Sequence, residues 1–314
     1  MNSDDALNLT EIPKKLLIVG GGVIGCELAF IFQAFGSEVI LVEGQDRLLP
    51  LPSIDNEISA LLQREMKKRR IVFYLQRTLG EVNIENGSAR SVLPPVPGVS
   101  GSPLGTLALN TDAVLVTVGR APNTDGLGLT EAGVRQDRRG WISTDDFMQS
   151  SVPGIYAVGD VLGPQKGMLA HVASMEAMCA VENCFDQARK MDYSLIPSAV
   201  FTTPEIGCVG MSEAQAQKAG ISVSCHSFQM RQLGKMQAMS ELGGICKVIA
   251  DASNGAILGV HIASPHATDI LAEAVLAIRT ETRAIDLVEV MHAHPTLAEG
   301  IFEAAHGIIE HNIA

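Results

Sequence analysis

Six residues, Gly20-Gly21-Gly22-Val23-Ile24-Gly25, constrain the fold of this chain more than any other stretch. They directly follow an apolar run, Leu16-Leu17-Ile18-Val19, whose length and character predict a buried parallel strand. They open a helical segment, Val23 to Phe35, with Gly36 as its natural stop. A second apolar strand, Glu38 to Val42, then ends on Glu43. A G-x-G-x-x-G turn between strand and helix is the fingerprint of a dinucleotide-binding βαβ unit. Gly20 permits the tight turn, Gly22 lets the backbone approach a pyrophosphate, and Gly25 lets helix and strand pack closely. The N–H groups from Gly21 through Val23 and Ile24, at the positive end of the helix dipole, suit phosphate oxygens. Glu43 is placed to accept hydrogen bonds from both hydroxyls of an adenosine ribose. A 2′-phosphate there would meet a carboxylate, so NAD is expected rather than NADP.

The pattern continues as α/β. Pro52 to Arg70 reads as a helix capped by Ser53, with Asp55 and Glu57 early and an apolar stripe of Ile54, Ile58, Leu61, Leu62 and Met66. The basic run Lys67 to Arg70 falls in its last turn, where it complements the dipole, and this explains it without nucleic acid. Ile71 to Tyr74 is a further strand, Gly87 to Gly105 a surface loop with weak strands, and Ala113 to Val118 a returning buried strand. Gly119 after it fits an ordinary turn or a close approach to a cofactor.

Composition narrows the classes. With 314 residues, 46% apolar and 18% charged, the chain can build two or more cores and does not read as disordered. A net charge of −12 argues against a nucleic-acid surface. No uncharged apolar stretch is long enough to span a membrane, and Asp4, Asp5 and Glu11 give the N-terminus the wrong charge for a targeting peptide, so a cytoplasmic location is expected. Six scattered cysteines do not form a secreted disulfide framework. Cys179 and Cys184 have C-x4-C spacing but fall on an expected helix, Ala173 to Lys190, where five residues climb about 7.5 Å, too far for a disulfide. Cys26, Cys208, Cys225 and Cys246 read as packing residues. His292, His294, His306 and His311 lack the neighbouring ligands that a metal cluster needs, and no metal site is expected.

Three further motifs accompany the glycine loop: Val118-Gly119-Arg120-x-Pro122-Asn123; Val152-Pro153-Gly154-Ile155-Tyr156-Ala157-Val158-Gly159-Asp160 followed by Met168-Leu169-Ala170-His171; and His292-Ala293-His294-Pro295-Thr296-Leu297-Ala298-Glu299. In this order and spacing the chain resembles the pyridine nucleotide–disulfide oxidoreductases over almost its whole length. Glu43 and a tail without a terminal cysteine pair make it most similar to the dihydrolipoamide dehydrogenase branch. The resemblance implies a Rossmann-like NAD domain (1–125), a remnant of an FAD-binding Rossmann-like domain (126–192) and an α+β dimerisation domain (193–314). It implies NAD contacts at Gly20 to Gly25, Glu43 and Gly119, with Glu27 beside the nicotinamide and Leu79 on the adenine side. Asp160 is similar to the residue that binds the ribityl chain of FAD, and Ala170 to one whose backbone lies near the flavin ring. His294 resembles the acid–base that serves a redox disulfide, and Glu299 the carboxylate that orients it. Chemistry alone permits that role, since His titrates near neutrality and can take a thiol proton; taken alone the spacing more often marks a structural His-Pro turn, and the resemblance reverses that.

The C-terminal strands are expected at Ala199 to Phe201, Gly207 to Gly210, Ser222 to Phe228, Gly244 to Ala250 and Ile257 to His261, with a helix from Ala267 to Thr280 whose apolar excess suits a homodimer contact. Family members begin with an FAD segment bearing its own glycine fingerprint and C-x4-C pair. Neither is found here, so 126–192 is expected to be an orphan, with exposed strands such as Gly154 to Val158 and a doubtful FAD half-site. The chain alone is then inactive and reads as a truncated enzyme, as one part of a split enzyme, or as a non-catalytic NAD-binding module. For the split enzyme, a full-length homologue or separate FAD-domain chain supplies the disulfide and a lipoyl-protein the substrate.

Overall fold

The computed structural model describes residues 1–85, 87–99 and 105–313. It divides into two compact units, one joining Met1–Val118 to Pro197–Ala314 and the other spanning Gly119–Ile196.

The first unit opens with a short helix, α1 (Ser3–Leu7), then β1 (Lys15–Val19), α2 (Val23–Ala34) and β2 (Glu38–Val42), as the glycine fingerprint requires. Helix α3 (Asn56–Lys68) leads to β3 (Val72–Tyr74). A small antiparallel sheet, β4 (Val82–Glu85), β5 (Ser88–Leu93) and β6 (Leu107–Thr111), precedes β7 (Ala113–Val116). The four-stranded sheet runs β3-β2-β1-β7, with β1 paired in parallel to both neighbours: Leu17 stands opposite Ile40 on one side and Val114 on the other. Strands buried on both faces need continuous apolar side chains, and Leu16, Leu17, Ile18, Leu41 and Val42 supply them.

Two expectations change here. Helix α3 starts at Asn56 and its cap is Asp55, whose carboxylate accepts from Glu57 N; Ser53 lies in the preceding turn. The stretch expected as a loop with weak strands holds the regular strand β5, paired on both sides, because Ala89, Ser91 and Leu93 alternate inward. Residues 100–104 of that stretch lie outside the described ones.

The second unit holds α4 (Ala170–Cys184), two single 3₁₀ turns at Gly159–Leu162 and Pro164–Lys166, and a small core of Val134, Ile142, Met148, Leu162, Cys179 and Ala180. Gly154 to Val158 is not a strand: among the described residues its only ladder contact is an isolated bridge from Tyr156 to Gln149. Without a neighbouring strand, its backbone is satisfied locally, Ala157 N by Met148 O and Ile155 N by Val152 O. Helix α4 also ends six residues before Lys190. The Asn183 side chain receives Arg189 N and donates to Arg189 O and Phe147 O, which turns the chain there.

Back in the first unit, β8 (Ser198–Val200), β9 (Glu205–Gly210), α5 (Glu213–Lys218), β10 (Val223–Gln229), α6 (Gly234–Met239), β11 (Ile245–Asp251) and β12 (Ile257–Ser264) build an antiparallel sheet of order β10-β11-β12-β9-β8. Helices α7 (Ala267–Arg279), α8 (Ala284–Val288) and α9 (Glu299–Ile313) follow. Helix α7 buries Ala267, Leu271, Ala274 and Ala277, leaving Leu276 exposed. Cys26, Cys208 and Cys246 are buried, as packing residues should be, and burial pushes their thiols far up. Cys225 is exposed, because it sits on the outer strand β10 rather than in a core. Ile206, Cys208, Ile245 and Ala263 share one hydrophobic cluster with β1, α2 and α3, so the two segments of this unit fold around a common core. Among the described residues, no helix is long and apolar enough to cross a membrane.

Candidate functional site

Strand β1 delivers the chain into Gly20, whose φ of 109° only glycine adopts freely. Thr117 Oγ1 donates to Val19 O and Gly20 O, holding the turn from the β7 side. Gly22 caps α2 through its backbone with no side chain over the first turn, and a Cβ there would enter open space. The positive end of a twelve-residue helix is thus uncovered where a phosphate could bind. At Gly25 the opposite holds: a Cβ would fall well inside contact with Gly20 O and 2.8 Å from Thr117 Oγ1. Val23 and Ile24 are half-buried against the core, so they offer backbone rather than side chains.

Glu43, at the end of β2, lies against the glycine turn. Gly21 N donates to its Oε2 at 2.6 Å and Gln45 N to its Oε1 at 2.7 Å. Each carboxylate oxygen keeps a second lone pair for a hydroxyl donor. Glu27, one turn into α2, accepts from Phe201 N at 2.9 Å. Burial raises its pKa, partly opposed by that hydrogen bond. Leu79 is half-buried among Val42, Tyr74 and Leu93 on the β4–β6 side of the sheet.

The other expected cofactor residues lie in the Gly119–Ile196 unit. Gly119 has φ 140° and open space around its α-carbon. Asp160 is half-exposed on a 3₁₀ turn, 3.9 Å from Arg120 Nε. Ala170 is the first residue of α4, a helix whose N-terminus carries no side-chain cap. Arg120, Asn123, Trp141, Asp160 and Met168 line a cavity of about 170 Å³.

His294 and Glu299 are joined. His294 Nδ1 lies 2.8 Å from Glu299 Oε1, and Glu299 Oε2 accepts Thr296 N at 2.7 Å. Burial raises the Glu299 pKa, but the Thr296 amide and the His294 ring outweigh it and hold the carboxyl below its usual range. With Nδ1–H directed at a carboxylate, Nε2 is left as the proton-accepting nitrogen on a ring that is 73% exposed. Sequence reasoning missed the second histidine pair: His292 Nε2 lies 2.8 Å from Glu273 Oε1, and its ring packs against Phe302. It also missed Lys247, which is 2% exposed on β11 and surrounded by Asp55, Glu57 and Glu213. A lone lysine inside Ile245-Cys246-Lys247-Val248-Ile249 was the signal available. No group of three potential metal ligands comes together among the described residues.

Residues 1–177 match the family described as pyridine nucleotide-disulphide oxidoreductase, and residues 196–305 match its dimerisation domain. The chain belongs to this family. It is 40% identical over 303 residues to dihydrolipoyl dehydrogenase of Chlamydia muridarum, covering 96% of this chain and 62% of that protein. Mitochondrial dihydrolipoyl dehydrogenase 1 of Arabidopsis thaliana is 38% identical, with 97% and 58% covered. The chain therefore spans about three-fifths of the length of these relatives. In fold it is similar to LpdA of Mycobacterium tuberculosis (TM-score 0.86, 23% identity, 98% and 64% covered) and to the flavoprotein disulfide reductase RclA of Escherichia coli (TM-score 0.87, 23%, 97% and 66%).

Proposed function

We propose that this chain provides the NAD-binding and interface portions of a dihydrolipoamide dehydrogenase, which oxidises dihydrolipoamide on a lipoyl-protein and reduces NAD⁺ to NADH. The observation that carries the reading is one compact unit holding both an uncovered glycine turn braced by Glu43 and a His294–Glu299 pair. The organisation in this reading is 1–125 for NAD, 126–192 for part of an FAD domain and 193–314 for the interface of a cytoplasmic homodimer. When bound, FAD and NAD supply the electron relay from dithiol to nicotinamide.

This chain's own residues bind and move protons. Gly22 to Gly25, at the start of α2, present backbone donors to the pyrophosphate while the Gly21 amide holds Glu43, Glu43 takes the ribose hydroxyls, and Glu27 borders the nicotinamide end. His294 Nε2 receives the thiol proton while Glu299 fixes the ring through Nδ1. Asp160 and Ala170 form half a flavin site; Asp160 lines a small cavity with Arg120 and Trp141, and Ala170 opens α4. In an NADH fluorescence titration, Glu43→Ala should weaken binding about ten-fold or more, the loss expected for charge-assisted hydrogen bonds. Unchanged affinity would remove Glu43 from the ribose.

A second reading is favoured by one observation: the His294–Glu299 pair is formed, yet the two cysteines with C-x4-C spacing lie on one regular helix, Cys179 buried with a raised pKa and Cys184 exposed at its end. The chain then serves a disulfide on another polypeptide, or binds NAD and dimerises without catalysis. Co-expressed with a full-length homologue, it should form mixed dimers whose dihydrolipoamide oxidation falls by roughly a hundred-fold on His294→Ala in this chain. NADH binding with no activity in any mixture selects the non-catalytic module.

A further inference from the structure

Lys247 is a buried cation that the proposed chemistry does not use. Its Nζ lies 3.2 Å from Asp55 Oδ1, 2.8 Å from Glu57 Oε1 and 2.6 Å from Glu213 Oε2. These carboxylates come from two places. Asp55 and Glu57 begin α3 in the nucleotide half, and Glu213 begins α5 in the interface half. The same junction is tied three more times: Glu213 N donates to Asp55 Oδ2, Ser227 Oγ to Glu57 Oε2, and Ser212 Oγ to Pro52 O.

The gripped segment runs back to the glycine turn. Arg47 donates to Leu51 O and Ile54 O, and Ser59 Oγ to Leu48 O at 2.6 Å. Leu49 N donates to Gly21 O at 2.8 Å, and the Leu48 side chain closes over Gly21. At its start, Gln45 N holds Glu43 Oε1. One loop, residues 44–55, is therefore anchored to the interface sheet at one end and to the glycine turn at the other.

We infer that Lys247 is a positioning residue: it clamps the 44–55 loop to the interface sheet and thereby sets the geometry of Gly21 and Glu43. The part of this that concerns nucleotide affinity rests on the proposed NAD reading; the clamp itself does not. Burial would make an uncompensated Asp55 costly if Lys247 alone were replaced. The test variant is therefore Lys247→Met combined with Asp55→Asn, which removes the buried charge pair and keeps an asparagine cap on α3.

Two readouts separate the possibilities. Amide hydrogen exchange on the full chain should show faster exchange across residues 44–55 and 21–26 in the double variant, with β11 and β12 protected as before. Affinity for NADH should fall about ten-fold, within the range of long-range coupling through packed networks. Asp55→Asn alone keeps the cap and leaves the ammonium on Glu57 and Glu213, so it should be less stable than wild type yet exchange more slowly across 44–55, and bind NADH more tightly, than the double variant. Unchanged exchange across 44–55 overturns the clamp, whatever NADH does. Faster exchange in a chain whose wild type binds no NADH upholds the clamp and overturns the NAD reading instead. Faster exchange with unchanged NADH affinity overturns the link from clamp to nucleotide geometry.

Discussion

Gly25→Ala should lower stability by about 1–3 kcal/mol and abolish measurable NADH binding, whereas Gly22→Ala should leave stability unchanged and lose NADH binding alone. The two glycines do different physical jobs. A methyl at Gly25 meets the backbone carbonyl of Gly20 and the Thr117 hydroxyl, neither of which can step aside. Gly20 is fixed by its N–H to Val42 O, and Thr117 by two hydrogen bonds back onto β1 and the turn. Relief requires α2 to move off β1, which opens the core around Leu16, Ile18 and Cys26. At Gly22 a methyl meets no protein atom, and its φ of −74° suits alanine. It would occupy the space a pyrophosphate needs. Thermal unfolding and NADH titration of both variants decide the matter. If Gly22→Ala binds NADH normally, the uncovered helix end is not the phosphate site.

How far the residues foretold this arrangement depends on the range of each interaction. Strands β1 and β2, the glycine turn and α7 were legible because their signals are local: an apolar run, a glycine at a required φ, a helical stripe. His294 with Glu299 was legible only through the family resemblance, since their spacing alone more often marks a structural His-Pro turn; the structure joins the two side chains. Partners remote in sequence were not legible. Glu27 meets the Phe201 amide, His292 meets Glu273, and Lys247 meets carboxylates from two other elements. The 154–158 segment misled for the complementary reason. Its composition suits a strand, but strand geometry needs a neighbour to pair with, and among the described residues only an isolated bridge is made.

The helix cap shows the same competition at close range, and it gives the second large effect. Asp55→Ala should destabilise the chain by about 3 kcal/mol at neutral pH, whereas Ser53→Ala should stay within about 0.5 kcal/mol of wild type. Both residues are good caps by type. Asp55 wins because one oxygen accepts Glu57 N and meets the Lys247 ammonium, while the other accepts Glu213 N. Removing it costs a cap, about 1 kcal/mol, and strips Lys247 of its fully buried counter-charge. Burial alone would raise the Asp55 pKa, but the Glu57 amide, Lys247 and the Glu213 amide outweigh it and hold the pKa below the usual carboxylate range. A folded-state pKa below the unfolded one means stability that is present in full above the unfolded value and is lost as pH falls through the folded one. The gap between wild type and Asp55→Ala, followed by urea unfolding from pH 7 downward, should therefore hold steady to about pH 5 and then close. A gap that stays constant into strong acid would mean that Asp55 acts through shape rather than charge, and an equal loss in Ser53→Ala would return the cap to Ser53.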